Sequence, residues 1–316
     1  METDLVSKAL NSCGYAALVA SLTLFIFLRG ATSPVAAAEP TKHVLIIGID
    51  GCMPDAIQAS NTPNLKKLAE EGAVTWDGFA GGVPGSPSQQ ETASVQSWNS
   101  ILRGVWANKH KSSRMKKGRP LPADSKNFPS LFGRIKEVHP QAQCASICNW
   151  IWINNQPMLP EADYKINGPA GDASVTDLLT KYLQEKDPMA VFIHLDEVDH
   201  SGHGEGFAPR LPSYQAAVEK ADKHVGEALA AVKSRKNYAH EQWLIICVTD
   251  HGGLNKGHGG QTPEERKTFL IVNGPGVKKG VVSPGPGIVA VTPTALKYLG
   301  VPIKPEWKLD GEPFGL

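Results

Sequence analysis

The sequence has no excess of charge of either sign. Its 32 Lys and Arg residues against 31 Asp and Glu residues give a formal net charge of +1, so no net basic field attracts nucleic acid or an anionic membrane. Cysteine is also scarce. Five cysteines in 316 residues are too few for a disulfide scaffold, and the lack of a CxxC pair argues against a zinc ribbon or a redox dithiol.

The N-terminus carries one apolar run, 14–28, preceded by Lys8. Its 15 residues fall short of the roughly 20 that a membrane-spanning helix needs. Three alanines at 36–38 follow and resemble an A-x-A cleavage site. We predict a signal peptide over 1–38, a catalytic domain over 39–316, and a secreted, periplasmic or otherwise extracytoplasmic location; an uncleaved anchor is the alternative. In such an oxidising compartment a disulfide bridge between Cys144 and Cys148 is possible, and the sequence does not decide whether it forms.

From residue 42 onward, short apolar runs alternate with amphipathic segments, and no internal repeat or long linker interrupts them. The apolar runs are 43–49, 144–148, 189–195, 244–248 and 268–272. The helical patterns are 62–72, 128–138, 173–184, 214–232 and 293–299. Continuous apolar strands that alternate with helices predict an α/β fold, a mostly parallel central sheet sandwiched by helices.

Acids and histidines follow three of the five apolar runs. They are Asp50, Asp199, His203, Asp250, His251 and His258. Ligands of such folds bind beyond the carboxyl ends of the strands, and carboxylates with imidazoles suit zinc or a similar divalent ion. Asp199 and His203 are spaced to share one helix face. Each residue alone could be a turn, capping or surface residue, but their coincidence at strand ends predicts a metal site.

Two hydroxyl residues, Thr92 and Ser94, come at the start of a predicted helix. A hydroxyl there meets backbone N–H groups and the helix dipole, which favour a phosphoryl anion. A metal ion bound to the hydroxyl would favour the nucleophilic alkoxide. The alternative is that both residues are helix caps.

Taken together, these motifs resemble the alkaline phosphatase superfamily, and within it the type I phosphodiesterase/nucleotide pyrophosphatase branch. They follow the family's order over nearly all of 39–316. The matching motifs are Gly48-Ile-Asp50-Gly51, 62–72, 94–110, Asp199-x-x-Gly202-His203, Thr249-Asp250-His251-Gly252, His258-Gly259 and 291–302.

The resemblance implies a two-metal phosphoric-ester hydrolase that forms a covalent phosphoryl-enzyme intermediate on Ser94, with Thr92 as the fallback nucleophile. It implies two divalent ions, with zinc preferred, and a small-molecule phosphate ester or nucleotide as substrate. No nucleic-acid polymer is expected as a partner, nor a stable membrane partner once 1–38 is removed. The implied ligand sets are Asp50, Asp250 and His251 for one ion, and Asp199, His203 and His258 for the other.

The sequence departs from the family at three places, one of which is the stretch between His251 and His258, too short for the insertion of larger phosphodiesterases. Gln96 stands where proline is common, and Met115 stands where the branch has a substrate-binding asparagine, so Arg114, Lys116 or Lys117 is the candidate for that contact. The motif that sulfatases carry after their nucleophile is missing at 94–98, so sulfate esters are not expected. The alternatives are a phosphomonoesterase, another esterase or transferase of the superfamily, and a non-enzymatic metal-stabilised binding protein.

Overall fold

The computed structural model describes residues 40–116, 119–155, 158–168 and 170–316, without the side chains of 114–116, 119 and 120. The proposed signal peptide, 1–38, lies outside these residues. Within the described part of the chain, no helix has both the length and the apolar character that crossing a bilayer requires.

An eight-stranded sheet organises the fold, and a separate two-stranded hairpin accompanies it. The strands are β1 Thr41–Ile49, β2 Ala73–Phe79, β3 Ser113–Lys116, β4 Arg119–Leu121, β5 Cys144–Cys148, β6 Tyr164–Asn167, β7 Ala190–Leu195, β8 Glu241–Val248, β9 Lys267–Asn273 and β10 Gly280–Val281. The large sheet has the order β10-β2-β9-β8-β1-β7-β5-β6. Strands β8, β1, β7, β5 and β6 are mutually parallel, while β9 is antiparallel to both β8 and β2.

Helices cover both faces of this sheet. They are α1 Pro54–Ala59, α2 Pro63–Glu71, α3 Ser94–Arg103, α4 Ala107–His110, α5 Leu131–Val138, α6 Trp152–Asn155, α7 Asp172–Glu185, α8 Glu197–Glu205, α9 Pro212–Lys233, α10 Pro263–Arg266 and α11 Val291–Leu299. Short 3₁₀ turns lie at Tyr238–His240, Ile288–Ala290 and Pro305–Trp307.

The central strand β1 feeds two hydrophobic cores because successive side chains of a strand point to opposite faces. Val44 and Ile46 pack with α3, α5 and α11 on one face. Leu45 and Ile47 pack with α1, α7 and α9 on the other. Burial on both faces explains why β1 reads as an unbroken apolar run, and the predicted α/β fold class is confirmed.

The start of one helix differs from the prediction, and the alternative left open for Cys144 and Cys148 is decided. The helix expected over 128–138 begins only at Leu131, because Phe128 precedes Pro129, which disfavours helical backbone, and Ser130 accepts a hydrogen bond from Gly133 N. Cys144 and Cys148 are both buried and unbridged. They lie at the two ends of β5, about 13 Å apart at the rise of a strand, whereas a disulfide needs Cα atoms within about 7 Å.

Candidate active site

The sheet order brings the predicted site residues together. Strand β1 lies between β7 and β8, all three parallel, so their carboxyl ends meet at one edge. Asp50 follows β1, Asp250 follows β8, and Asp199 lies in the first turn of α8, which follows β7. Helix α3 presents Ser94 at its first turn beside them.

One cluster surrounds the imidazole of His251, which is fully buried. Its Nε2 atom lies 3.2 Å from Asp250 Oδ2 and 3.4 Å from Asp50 Oδ1. The same Nε2 lies 3.1 Å from Ser94 Oγ, which is also 3.4 Å from Asp50 Oδ1. Four side chains from three separate parts of the sequence therefore converge around one point.

A second cluster joins Asp199, His203 and His258. His203 Nε2 lies 3.3 Å from Asp199 Oδ2, as their spacing on α8 predicts, and 3.1 Å from His258 Nε2. His258 Nε2 lies 3.7 Å from Asp199 Oδ1. The two clusters touch, because the rings of His251 and His258 stack with centroids 3.8 Å apart.

Backbone carbonyls set the orientation of all three imidazoles. The Nδ1 atom of His251 lies 2.8 Å from Gly252 O, that of His203 2.9 Å from Lys256 O, and that of His258 3.0 Å from Thr92 O. A carbonyl oxygen only accepts hydrogen bonds, so each Nδ1 is the donor and each Nε2 is directed into the site as a ligand atom.

Two carboxylate oxygens support a cation at the same place. Asp199 Oδ1 and Asp250 Oδ2 are buried and have no hydrogen-bond donor in the described part of the chain. Ligand atoms of Asp199, His203 and His258 lie within 4.8 Å of one another, as do those of Asp50, Asp199 and His251. Buried oxygens without donors, facing imidazole lone pairs, fit divalent metal ions.

The pKa values show how strongly the negative charge is concentrated. Burial, together with the charges of Asp50 and Asp199, raises the pKa of Asp250 well above its ordinary value. Burial alone would raise the pKa of Asp50 too, but the hydrogen bond from His194 and the nearby imidazoles hold it below its ordinary value. Divalent cations would relieve the repulsion among the three carboxylates.

The two histidines of the second cluster differ in pKa. The hydrogen bond to Asp199 raises the pKa of His203 to about 9, whereas burial and the charge of His251 lower the pKa of His258 to about 4. In the absence of an ion, one proton is therefore held on His203 between Asp199 and His258. Metal binding displaces such protons.

The two candidate nucleophiles have different surroundings. Ser94 is the first residue of α3, and its hydroxyl faces Asp50 and His251. The hydroxyl of Thr92 instead donates to Gly260 O and accepts from Gly259 N. Neither hydroxyl caps α3, since its N-cap is Ala93 and no side-chain cap bond forms.

The backbone of the candidate substrate-contact residues Arg114 and Lys116 lies in β3. Their side chains, and the whole of Lys117, lie outside the described residues. The positive charge predicted at this place therefore remains a prediction.

Three buried residues near Asp50 are not among the predicted ligands and nucleophiles, and of these the sequence indicates only that His194 has a structural or supporting role rather than that of a ligand. Trp98 and His194 both donate to Asp50 Oδ2, and ligand atoms of Asp50, His194 and Asp196 lie within 4.8 Å. Burial raises the pKa of Asp196 to about 7. The sequence contains one indication that Trp98 lies near the site. Trp98 comes four residues after Ser94, so the two side chains share a helix face.

Part of the chain matches a known protein family. The family model described as type I phosphodiesterase/nucleotide pyrophosphatase matches residues 133–259. No curated protein matches the chain in sequence. The matched range contains Asp199, His203, Asp250, His251 and His258, whereas Asp50 and Ser94 lie outside it.

Solved structures with this fold include several hydrolases. Murine ectonucleotide pyrophosphatase/phosphodiesterase 5, an inactive form in complex with AMP, is 12% identical, with a TM-score of 0.63 over 84% of this chain and 96% of its own. A phosphonate monoester hydrolase of Agrobacterium radiobacter is 15% identical, with a TM-score of 0.59 over 87% and 76%.

A sulfatase neighbour has the same fold. A putative sulfatase from Bacteroides thetaiotaomicron is 14% identical, with a TM-score of 0.67 over 87% of this chain and 73% of its own. The family-model match and the shared fold confirm the resemblance to the alkaline phosphatase superfamily that the sequence motifs indicated.

Proposed function

Starting from the fold of the alkaline phosphatase superfamily and the phosphodiesterase segment at 133–259, we propose that the chain is a two-metal phosphoric-ester hydrolase. Ser94 is its nucleophile, and phosphodiesters or nucleotide pyrophosphates are its preferred substrates. One observation carries the proposal: the hydroxyl of Ser94 lies within 3.4 Å of both Asp50 and His251, at the start of a helix.

The side chains divide into two ligand sets. Asp50, Asp250 and His251 would hold one divalent ion, and the other would be held by Asp199, His203 and His258. When bound, such ions supply positive charge that lowers the pKa of a nearby hydroxyl and neutralises phosphoryl oxygens. Carboxylate and imidazole donors favour zinc for both.

The reaction proceeds in two displacements at phosphorus. In the first, Ser94 Oγ forms a bond to phosphorus, the bond to the leaving oxygen breaks, and the hydroxyl proton passes to the solvent as the leaving group departs. In the second, the oxygen of a water molecule forms a bond to phosphorus, the bond from phosphorus to Ser94 Oγ breaks, and a proton from the water restores the serine hydroxyl. The N–H groups and dipole at the start of α3 favour the phosphoryl anion throughout.

A direct test replaces Ser94→Ala and measures turnover of a nitrophenyl nucleotide diester. We expect turnover to fall at least about 1,000-fold, because the nucleophile is lost, with zinc content unchanged. Ser97→Ala is the matched control: it removes a buried hydroxyl from the same helix that has no described hydrogen-bond partner, so stability and activity should be retained.

Further substrates distinguish the alternatives. A nitrophenyl phosphate monoester and a nitrophenyl sulfate, assayed beside the diester, should be turned over more slowly. Preference for the monoester would favour a phosphomonoesterase. No hydrolysis of any ester by zinc-loaded protein would contradict the proposal and favour a metal-stabilised binding protein.

We also propose that 1–38 is a signal peptide and that the enzyme acts outside the cytoplasm on small-molecule substrates. The apolar run 14–28 and the alanines at 36–38 support this proposal. N-terminal sequencing of the protein from expressing cells should give Glu39 as the first residue. Retention of Met1 in a membrane fraction would instead indicate an uncleaved anchor.

A further inference from the structure

The two carboxylate oxygens of Asp50 have different partners. Oδ1 lies 3.4 Å from Ser94 Oγ and 3.4 Å from His251 Nε2. Oδ2 is 2.9 Å from Trp98 Nε1 and 2.9 Å from His194 Nε2. Because a carboxylate oxygen offers about two lone-pair sites, these two N–H donors occupy Oδ2. Only Oδ1 is left facing the nucleophile and the other ligands.

Both donors are fixed by packing in the core. Trp98 and His194 are each 0% exposed, and their rings meet edge to face with centroids 5.0 Å apart. Trp98 also packs its edge against Phe192, with centroids 5.6 Å apart. A Cβ atom on Gly48 would lie 2.4 Å from Trp98 Cη2, so the indole depends on glycine at that point of β1.

The indole also links Asp50 to the helix that carries the nucleophile. Trp98 follows Ser94 by four residues on α3, which places both on one face of the helix. His194 reaches Asp50 from the other side, because it is the partner of Gly48 in the pairing of β1 with β7. Asp50 is thus held from α3 and from β7 at the same oxygen.

We propose that Trp98 and His194 are positioning residues that hold Asp50 with Oδ1 directed toward Ser94 and the metal site. Groups that orient a ligand in this way typically change metal affinity or activity by about 10- to 100-fold when they are lost. The catalytic part of this inference rests on the proposed function. The part about metal affinity does not depend on that reaction, because it concerns only how Asp50 is oriented as a ligand.

The test uses the full chain and Zn²⁺ alone, with affinity measured by competition against a chromophoric chelator. Trp98→Phe removes the indole N–H but keeps an aromatic ring, and His194→Leu removes the other donor. Each should weaken zinc binding about 10- to 100-fold. His194→Gln, whose amide nitrogen can reach the place of Nε2, should restore most of the lost affinity.

Trp106→Phe is the matched control, because Trp106 is a buried tryptophan that stacks on Phe79. It should bind zinc as the unaltered protein does. Cooperative thermal unfolding in chelator identifies the variants that are folded. Should His194→Leu not fold, Trp98→Phe and His194→Gln still decide the outcome.

The inference is overturned if folded Trp98→Phe and His194→Leu bind zinc with unaltered affinity. It is also overturned if the His194 variants lose one whole zinc equivalent, since that would make His194 a ligand. A failure of the proposed function would give a different result. Ser94→Ala would then retain turnover, while the Trp98 and His194 variants would still bind zinc more weakly.

Discussion

Thr92 connects the start of α3 to the loop that carries His258. Its hydroxyl donates to Gly260 O at 2.8 Å and accepts from Gly259 N at 3.0 Å, and its carbonyl accepts from His258 Nδ1 at 3.0 Å. Because its hydroxyl is engaged as both donor and acceptor, Thr92 helps to hold the loop that carries the candidate ligand His258. The same hydroxyl is poorly placed to attack a substrate. This favours Ser94 over Thr92 as the nucleophile.

Thr92→Val should lower the free energy of unfolding by about 1–3 kcal/mol, because Gly259 N and Gly260 O lose their buried partner. Turnover should fall far less than in Ser94→Ala. Urea denaturation and the diester assay measure the two effects, and Thr92→Ser, which keeps the hydroxyl, is the control. Loss of turnover with normal stability and zinc affinity would instead assign the nucleophile to Thr92.

At the residue scale, the sequence indicates acids and imidazoles at strand ends, but it does not reveal the contact that holds Asp50. Asp50, Asp250 and His251 could be predicted because they directly follow apolar runs, where an acid or imidazole is conspicuous. His194 lies inside such a run, so the pattern alone indicates a core residue. Its contact with Asp50 depends on the register between β1 and β7, which the sequence does not reveal.

Helices α3 and α4 form a unit that ends at the buried His110. Gly104 closes α3 in the left-handed region, with φ of 68°. His110 Nδ1 accepts from Ser112 N at 3.1 Å, so its Nε2 is the donor to Ser100 Oγ at 3.0 Å. His110 O accepts from Asp124 N, which ties the following segment to the end of α4.

This unit should make the protein sensitive to acid. Burial, and then the charge of Arg103, lower the pKa of His110 from 6.5 to about 3. The unfolded chain therefore binds a proton that the folded chain excludes. Above pH 6.5 the neutral His110 leaves the free energy of unfolding at its full value. As the pH falls from 6.5 toward 3, that free energy decreases by up to about 1.4 kcal/mol per pH unit.

Urea denaturation between pH 7 and pH 4 tests this prediction. His110→Asn keeps an acceptor for Ser112 N but does not titrate. We expect the variant to be less stable than the unaltered protein at pH 7 and to have the shallower pH dependence. Parallel pH profiles for the two proteins would contradict the pKa assigned to His110.

At the scale of elements, long apolar runs predicted β1, β7 and β8 well because burial on both faces leaves a continuous signal. Strand β2 was missed because its sequence AVTWDGF mixes polar and apolar residues. Strand β6 was missed because it is a four-residue edge strand with the sequence YKIN. The extended conformation of β2 and β6 therefore depends on pairing with neighbouring strands rather than on the composition of the two segments.

Over the whole molecule, the candidate ligands come from three adjacent strand ends and from the loop at His258. Ions held there would link β1, β7 and β8 through α8 and that loop. An ion that binds only the folded state stabilises it by about 2.7 kcal/mol at a concentration 100 times its Kd. Metal binding should therefore contribute to global stability.

Chelation should lower the unfolding temperature, and added Zn²⁺ should restore it. Differential scanning calorimetry measures the shift, and Asp199→Ala should reduce it because one ligand set is lost. His240→Ala, at an exposed histidine, is the control and should retain the full response. An unfolding temperature that does not change with chelator would contradict metal binding by the folded chain.

The position of β1 in the sheet has a consequence for the synthesis of the chain. Thr41–Ile49 is made well before both of its neighbours in the sheet, Ala190–Leu195 and Glu241–Val248. Until both have emerged from the ribosome, this largely apolar strand has unpaired edges, which invite aggregation. The nascent chain must therefore stay unassembled until most of its length is available, and a fragment ending before Glu241 would not complete the sheet.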